Sequence, residues 1–409
     1  MRVALLSYRS HPYVGGQGVY VRHLTRALSA LGHEVTVFGG EPYPELDPRV
    51  ALVRLPSLDL YTERFPWVFP APWKLLDPIN ALEYVLFMGA GFAEPRSFSL
   101  RARRALRGRR GEFDVVHDVQ CLGSGLLGIV EDGWPLVTTF HHPIAIDREL
   151  ELGAATTRRR RLQLRRWYGF VQMQHRVARE LPYLITGSPT ARDDIVRVCG
   201  VDPRRLSLVP YGVDTEVFAP RPDVAREPGR IITTTSSDQP LKGLRILLEA
   251  VAKLASERDV RLVIIGKPLP RSEIPSLIER LGIGARVDWV SGIDDDELAA
   301  WYARAQVAVV PSLYEGFSLP AAEAMSCGTP LVVTSAGALP WVVGDAASVV
   351  APGDAEALAE AIGCLLDDPV LAGHRSDAGR DRVLERFTWP ATAAATVDVY
   401  RQAVARYPT

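Results

Sequence analysis

The stretch PSLYEGFSLPAAEAMSCGTP, residues 311–330, decides how the rest of the chain is read. It follows the apolar run Val307–Val310, which reads as a buried strand. The segment therefore opens at the carboxyl edge of a parallel sheet, where α/β proteins bind ligands. Glu315 lies in the loop, Gly316 allows close approach of backbone, and Ser318 is placed to cap the following helix. The first N–H groups of that helix have no intrahelical acceptor. Glu323 sits roughly 7 Å further along the axis, at about 1.5 Å per residue. Ala321, Ala322 and Ala324 beside it are small enough for a ligand or a sheet to come close, and Gly328 and Pro330 end the helix. Two carboxylates so spaced can hold two parts of an elongated, hydroxyl-rich ligand, because ionised carboxylates accept hydrogen bonds strongly. In isolation the spacing describes only a capping loop and a solvent-facing glutamate; the Gly, Ser and Pro residues around it favour the binding reading.

Outward from this segment, short apolar runs alternate with helical patterns. Arg2–Ser7, Val35–Gly39, Val50–Leu55, Phe113–His117, Leu136–Phe140, Leu184–Gly187 and Leu206–Val209 read as buried strands. A second series comprises Arg230–Thr235, Val260–Gly266, Arg286–Val290, Val307–Pro311, Leu331–Thr334 and Ala347–Val350. Near-continuous apolar strands separated by helices mark parallel sheets covered on both faces, so the chain is expected to form two doubly wound α/β domains. Helices are expected over Val19–Leu31, stopping at Gly32; from Ser188 to about Val198; and over Leu244–Leu254 after Lys242-Gly243. The join is placed near residue 217, giving domains over 1–217 and 218–386, with a closing segment 387–409. Residues 56–110, rich in Pro, Trp and Phe, read as an insertion of loops and two helices.

The chain has 409 residues, 47% of them hydrophobic and 23% charged, with Lys+Arg 47 against Asp+Glu 48. That balance suits a soluble two-domain protein and argues against a nucleic-acid binder. No apolar run approaches the ~20 residues of a membrane-spanning helix, and the N-terminus lacks signal-peptide anatomy; a cytoplasmic protein is expected. Four scattered cysteines suggest neither a disulfide framework nor a zinc site. Arg96–Arg110 carries seven Arg and no acid, and Arg158–Arg166 six Arg and no acid. The ordinary reading of both is a solvated helix face. The sharper one is a patch for an anionic acceptor, or peripheral contact with the inner face of an anionic membrane. Asp294-Asp295-Asp296-Glu297 directly precedes a helix and reads as a cap rather than a metal site.

The segment 311–330 resembles the E-x7-E signature of the retaining glycosyltransferases of family 4, which have the GT-B fold of two facing Rossmann-like domains. The similarity runs along nearly the whole chain, with weaker support from Gly15-Gly16, Asp114–His117, Thr139-Phe140-His141, Pro210–Asp214, Lys242-Gly243 and the closing Phe387–Tyr400 helix. It implies transfer of a hexosyl unit from a UDP- or GDP-linked sugar, held mainly by the C-terminal domain, to a hydroxyl on a carbohydrate, small-molecule or lipid-linked acceptor at the N-terminal domain. The resemblance implies neither a cofactor nor an essential metal, and it implies that the closing helix returns to the N-terminal domain.

The resemblance also implies roles for individual positions. Glu323 would take the ribose hydroxyls, while Glu315 and the backbone of Gly316, Phe317 and Ser318 would hold the transferred sugar. Lys242, one of only four lysines, would neutralise the departing diphosphate. Gly15 and Gly16 would offer N–H groups to phosphate. Ile293 would lie beside the base, and His141 would touch the sugar near the anomeric carbon, with adjacent His142 as its alternative. His117 and Asp118 would lie behind these contacts. The family's second diphosphate cation, an Arg shortly before the lysine, is absent here; Ser236 and Ser237 stand in that stretch. Two other readings remain beside transfer: a phosphorylase-type enzyme of the same fold, and a catalytically weak nucleotide-sugar binder. A dinucleotide-binding dehydrogenase is disfavoured, because Gly15-Gly16-Gln17-Gly18 does not fit G-x-G-x-x-G.

Overall fold

Each expected strand forms, and the described strands assemble into two separate, wholly parallel sheets. The computed structural model describes residues 1–10, 16–62, 67–235, 240–267 and 272–407. The first sheet contains β1 (Arg2–Ser7), β2 (Glu34–Gly39), β3 (Ala51–Arg54), β4 (Val115–Val119), β5 (Leu136–Thr139), β6 (Tyr183–Thr186) and β7 (Leu206–Leu208), in the order β3-β2-β1-β4-β5-β6-β7. The second contains β8 (Arg230–Thr234), β9 (Arg261–Ile265), β10 (Val287–Val290), β11 (Val307–Val310), β12 (Leu331–Thr334) and β13 (Ser348–Val350), in the order β10-β9-β8-β11-β12-β13. Strand order reverses between β1 and β4 in one sheet and between β8 and β11 in the other, and ligands of open α/β sheets bind outside the carboxyl ends at such points. The fully buried central strands, such as β11 and β12, explain why their sequences are unbroken apolar runs.

Two elements differ from the sequence-based bounds. β4 lies two residues later than expected, because the Asp114 carboxylate is taken by the Arg2 backbone N–H and guanidinium. The strand instead runs on through His117 and Asp118, both buried inside it. The helix after Ser188 is regular only over Pro189–Asp194 and widens into a π turn over Ile195–Cys199 before Gly200, whose φ of 70° ends it.

The chain divides into two compact units. One comprises Met1–Gly187, Ala191–Val209 and Thr392–Thr409; the other comprises Ser188–Thr190 and Pro210–Ala391. The main crossing, at Val209–Pro210, precedes the expected boundary of 217, because residues 212–213 pack on the later segment. The Val213 N–H donates to the Phe387 carbonyl at 2.9 Å, and a side chain at Gly212 would collide with the backbone of Thr388 and Trp389. The last helix, Trp389–Ala405, starts in the second unit and continues in the first.

Residues 56–110 do contain two helices, Pro78–Met88 and Glu94–Leu106, preceded by a short 3-10 turn at Pro72–Leu76. The solvated face expected for 96–110 is met only in part: Arg107 and Arg110 are exposed, but four of the seven arginines are drawn into ion pairs. Arg101 is buried against Glu83, Arg103 pairs with Asp132, Arg104 with Asp77 and Arg109 with Glu112. Acids distant in sequence supply most of these partners, so the run itself does not reveal them.

Candidate active site

In the second unit, the loops after β8 and β11 flank the point where strand order reverses, and they bring Lys242 and Glu315 together. Lys242 Nζ donates to Glu315 Oε1 at 3.0 Å, and Ser312 Oγ donates to the same oxygen at 2.7 Å. Backbone contacts fix this meeting. The Leu313 N–H donates to the Leu241 carbonyl at 2.7 Å, and Gly243 turns at φ 66° with its α-carbon pressed on the Pro311 carbonyl, leaving no room for a side chain. From the other side, Ala338 N–H donates to the Glu315 carbonyl at 2.8 Å, and Gly337, at φ 58°, abuts the Glu315 backbone. Thr334 Oγ1 donates to the Ser312 carbonyl at 2.5 Å. Lys242 and Ser312 therefore grip the carboxylate, while the end of β12 fixes the backbone that carries it. Gly337 and Thr334 were missed in the sequence; their one signal was a Ser-Ala-Gly turn directly after an apolar strand.

Ser318 does not cap the helix Leu319–Ser326. Its φ of 88° and ψ of 86° lie outside the extended region a capping residue adopts, and its buried Oγ has no hydrogen-bond partner among the described residues. A non-glycine residue in a left-handed conformation with an orphaned hydroxyl costs stability, and such strain gathers where ligands bind. Pro320 supplies no N–H, so the open end of the helix offers donors from Leu319 and Ala321. Phe317 turns its ring inward, 5.1 Å from Tyr211, 5.4 Å from Phe387 and 6.4 Å from Trp341. Its side chain anchors the loop and only its backbone is left for a ligand. Gly316 is half-buried beside it.

Glu323 lies on the same helix, 9% exposed, within reach of Tyr302 and Cys327, whose ionisation its negative charge disfavours after burial itself. Tyr302, on the helix Asp295–Arg304, has its hydroxyl 2.8 Å from Thr234 Oγ1 and donates to the Pro320 carbonyl at 3.4 Å, so it links the end of β8 to the start of the Glu323 helix. Ile293 is half-buried in the turn following β10 at the same sheet edge. The acids after it form a capping box: Asp294 Oδ1 accepts from the Glu297 N–H at 2.9 Å, and the Asp294 N–H donates to Glu297 Oε2 at 3.2 Å. Among the described residues no group of three or more His, Cys, Asp or Glu is arranged to hold a metal. Gly15, Ser236 and Ser237 lie outside the described residues; Gly16 opens the helix Gly16–Ala30 and is exposed.

In the first unit, a buried chain of hydrogen bonds underlies the ends of β4 and β5. Tyr400 hydroxyl meets His117 Nδ1 at 2.6 Å, His117 Nε2 meets Thr139 Oγ1 at 2.7 Å, and Thr139 Oγ1 meets Tyr20 hydroxyl at 3.0 Å. The Tyr20 ring then packs edge-on against His141, with centroids 4.9 Å apart. Burial pushes the His117 and His141 imidazoles down to about 3, so both are neutral at physiological pH. Gln120, held at φ 49°, accepts from the His141 N–H at 2.6 Å and donates to the His142 carbonyl at 3.2 Å. The neighbouring His142 is engaged with Asp147 Oδ2 at 3.0 Å. Asp118 is fully buried, and burial raises its carboxyl to about 8. Tyr20, Gln120, Thr139 and Tyr400 were not singled out in the sequence, because only folding brings together residues so widely spaced.

Comparison with known proteins agrees with this architecture. Residues 14–217 match the model described as Glycosyltransferase Family 4, and residues 229–368 match Glycosyl transferases group 1. The chain is 54% identical to an MMP alpha-(1->4)-mannosyltransferase of Mycolicibacterium hassiacum over 99% of each protein. It is 31% identical to a D-inositol 3-phosphate glycosyltransferase of Catenulispora acidiphila, over 98% of this chain and 95% of that one. Among solved structures, a sucrose-phosphate synthase from Thermosynechococcus elongatus superposes with a TM-score of 0.78 at 26% identity, covering 99% of this chain and 100% of the other. With two parallel-sheet α/β units and these similarities, the chain belongs to the family 4 glycosyltransferases of GT-B fold.

Proposed function

We propose that this glycosyltransferase moves a mannosyl unit from a nucleotide-diphosphate mannose to the 4-hydroxyl of a saccharide, with retention of configuration and formation of an α-linkage. The 54% identity to an α-(1→4)-mannosyltransferase over both whole chains supports the sugar and the linkage. The observation that carries the chemistry is the Lys242–Glu315 pair beside the orphaned Ser318 hydroxyl. Glu315 holds the hexose, Lys242 exchanges its carboxylate partner for the diphosphate, and the N–H groups at the start of Leu319–Ser326 add positive potential. Glu323, further along the helix, takes the ribose hydroxyls.

In the reaction the bond from the anomeric carbon to the diphosphate oxygen breaks as the acceptor oxygen approaches from the same face. The acceptor's proton passes to the departing diphosphate. Lys242 stabilises the negative charge that grows there, an electrostatic contribution worth about 10²–10³ in rate for a single well-placed donor. The donor is GDP- or UDP-linked, and no metal is assigned a role.

The test is an assay with GDP-mannose, UDP-glucose and UDP-galactose on wild type, Lys242→Ala and Glu323→Ala, with the product's anomeric configuration read by NMR. Mannosyl transfer giving an α-product, with turnover reduced about a hundredfold or more in Lys242→Ala, supports the reading. A β-product, preference for another sugar, or full turnover in both variants contradicts it.

A further inference from the structure

The helix Pro78–Met88 is built inside out. Its one charged residue, Glu83, is 1% exposed and held by Arg101, itself 5% exposed, whereas Val85 and Met88 are 67% and 64% exposed. The segments before it follow the same rule. Val68, Leu75, Tyr84 and Phe87 pack inward on Leu58 and Leu60, while Trp67, Phe69, Trp73 and Leu76 turn outward, each more than 70% exposed. Over residues 67–92 only Lys74, Asp77 and Glu83 carry charge. Both acids are matched by arginines of the first cluster, Arg104 to Asp77 and Arg101 to Glu83. An apolar surface of this kind, with its acids neutralised, marks a place where something docks.

What docks is indicated by the neighbouring helix Arg158–Trp167. Its C-terminal end meets the end of this surface. The Phe92 N–H donates to the Trp167 carbonyl at 3.3 Å, and Trp167 packs on Tyr61 and Phe92 at 5.5 and 5.2 Å. Arg158, Arg159, Arg161, Arg165 and Arg166 are exposed and form no ion pair with a described residue; Arg160 reaches Glu151 at 3.7 Å. The first turn holds no acid and begins with four consecutive arginines. Cations at that end oppose the helix dipole, each at a local cost of a few tenths of a kcal/mol or more. Charges placed against the local preference, beside exposed Trp and Phe, match a surface that is anionic at its face and apolar beneath it.

We propose that residues 67–90 and the helix Arg158–Trp167 form one docking surface for an anionic lipid membrane, with the aromatic side chains entering the headgroup region and the arginines binding lipid phosphates. The proposal does not depend on the reading of the donor site.

It is tested by sedimenting the full chain with vesicles of phosphatidylcholine alone and of equimolar phosphatidylcholine and phosphatidylglycerol, at low and high salt. The expected result is binding to the anionic vesicles only, weakened by salt. The combined substitution of Arg158, Arg159, Arg165 and Arg166 by Gln should weaken binding by about fivefold per arginine removed. Trp67→Ser with Trp73→Ser should also release the protein. Unchanged circular dichroism and unchanged transfer to a soluble acceptor would show that the variants are folded. Absence of vesicle binding, equal binding to both vesicle types, or undiminished binding of the Gln variant overturns the proposal. So does a dimer that the Trp substitutions disperse, which would assign the surface to a second copy of the chain.

Discussion

Residues 96–110 and 158–166 are almost interchangeable as composition, each a run of arginines without an acid, yet the fold treats them in opposite ways. In the first, four of the seven arginines are taken up by carboxylates. Arg101 neutralises a buried carboxylate, and Arg103, Arg104 and Arg109 each meet an acid brought in by folding or by the next turn. The second keeps its guanidinium groups outward, and the four at its start are at the end of the helix where they are least welcome. Charge counted along a sequence therefore says little about charge available at a surface; what matters is which cations retain a carboxylate after folding. The mostly paired stretch stabilises the unit, and the mostly unpaired one leaves its cations open to the docking proposed above.

The comparison breaks most easily at Arg101. Arg101→Ala leaves Glu83 buried without its cation, and unfolding free energy should fall by about 3–5 kcal/mol. Arg165→Ala should stay within about 0.5 kcal/mol of wild type in the same denaturant titration. Equal effects in the two variants would erase the distinction.

A somewhat smaller effect concerns Glu94, at the start of the paired helix. Burial raises its carboxyl to about 8, against the opposing charge of Arg9, whose guanidinium is 3.6 Å away. The native state then holds a proton that the unfolded chain releases near its ordinary carboxylate value. Stability is lost as pH rises from about 4.5 to 8, and Asp118, also raised to about 8, adds a loss of the same sign. Glu94→Gln should flatten this decline by a few kcal/mol at most, read as melting temperature against pH. A decline as steep as in wild type would refute the assignment.

The smallest effect sharpens the comparison from the other side. Arg158→Glu replaces a cation by an anion at a helix start and should stabilise the chain by about 0.3–1 kcal/mol, more at low salt than at high. Destabilisation instead would show that Arg158 has a structural partner.

The strand pattern was legible because both sheets are parallel and covered, so each strand writes itself as an apolar run; even the short strand Ser348–Val350 was recovered. The loop-helix unit carrying Glu315 and Glu323 was legible for the same reason, since a strand end and a helix start lie a few residues apart. Ser318 was misread, because its residue type fits a cap while its backbone, forced by the loop, does not. The partners that matter most were hidden by distance. Gly337 is far from Glu315 in sequence, Tyr400 is far from His117, and Glu83 precedes Arg101 with no spacing rule to announce the pair. Local pattern points to the candidate edge of a sheet; the residues that brace that edge come from everywhere else.

The central claim is that the two glutamates hold different halves of one donor. It is tested most directly by calorimetric titration of the preferred nucleotide-sugar, and separately of its nucleoside diphosphate, into wild type, Glu323→Ala and Glu315→Gln. Glu323→Ala should weaken both ligands by about tenfold or more, the loss of a charge-assisted hydrogen bond to ribose. Glu315→Gln should weaken the nucleotide-sugar alone, leaving the diphosphate bound as well as before or better, because Lys242 is released from its carboxylate partner. Equal losses for both ligands in both variants, or none in either, would contradict the account.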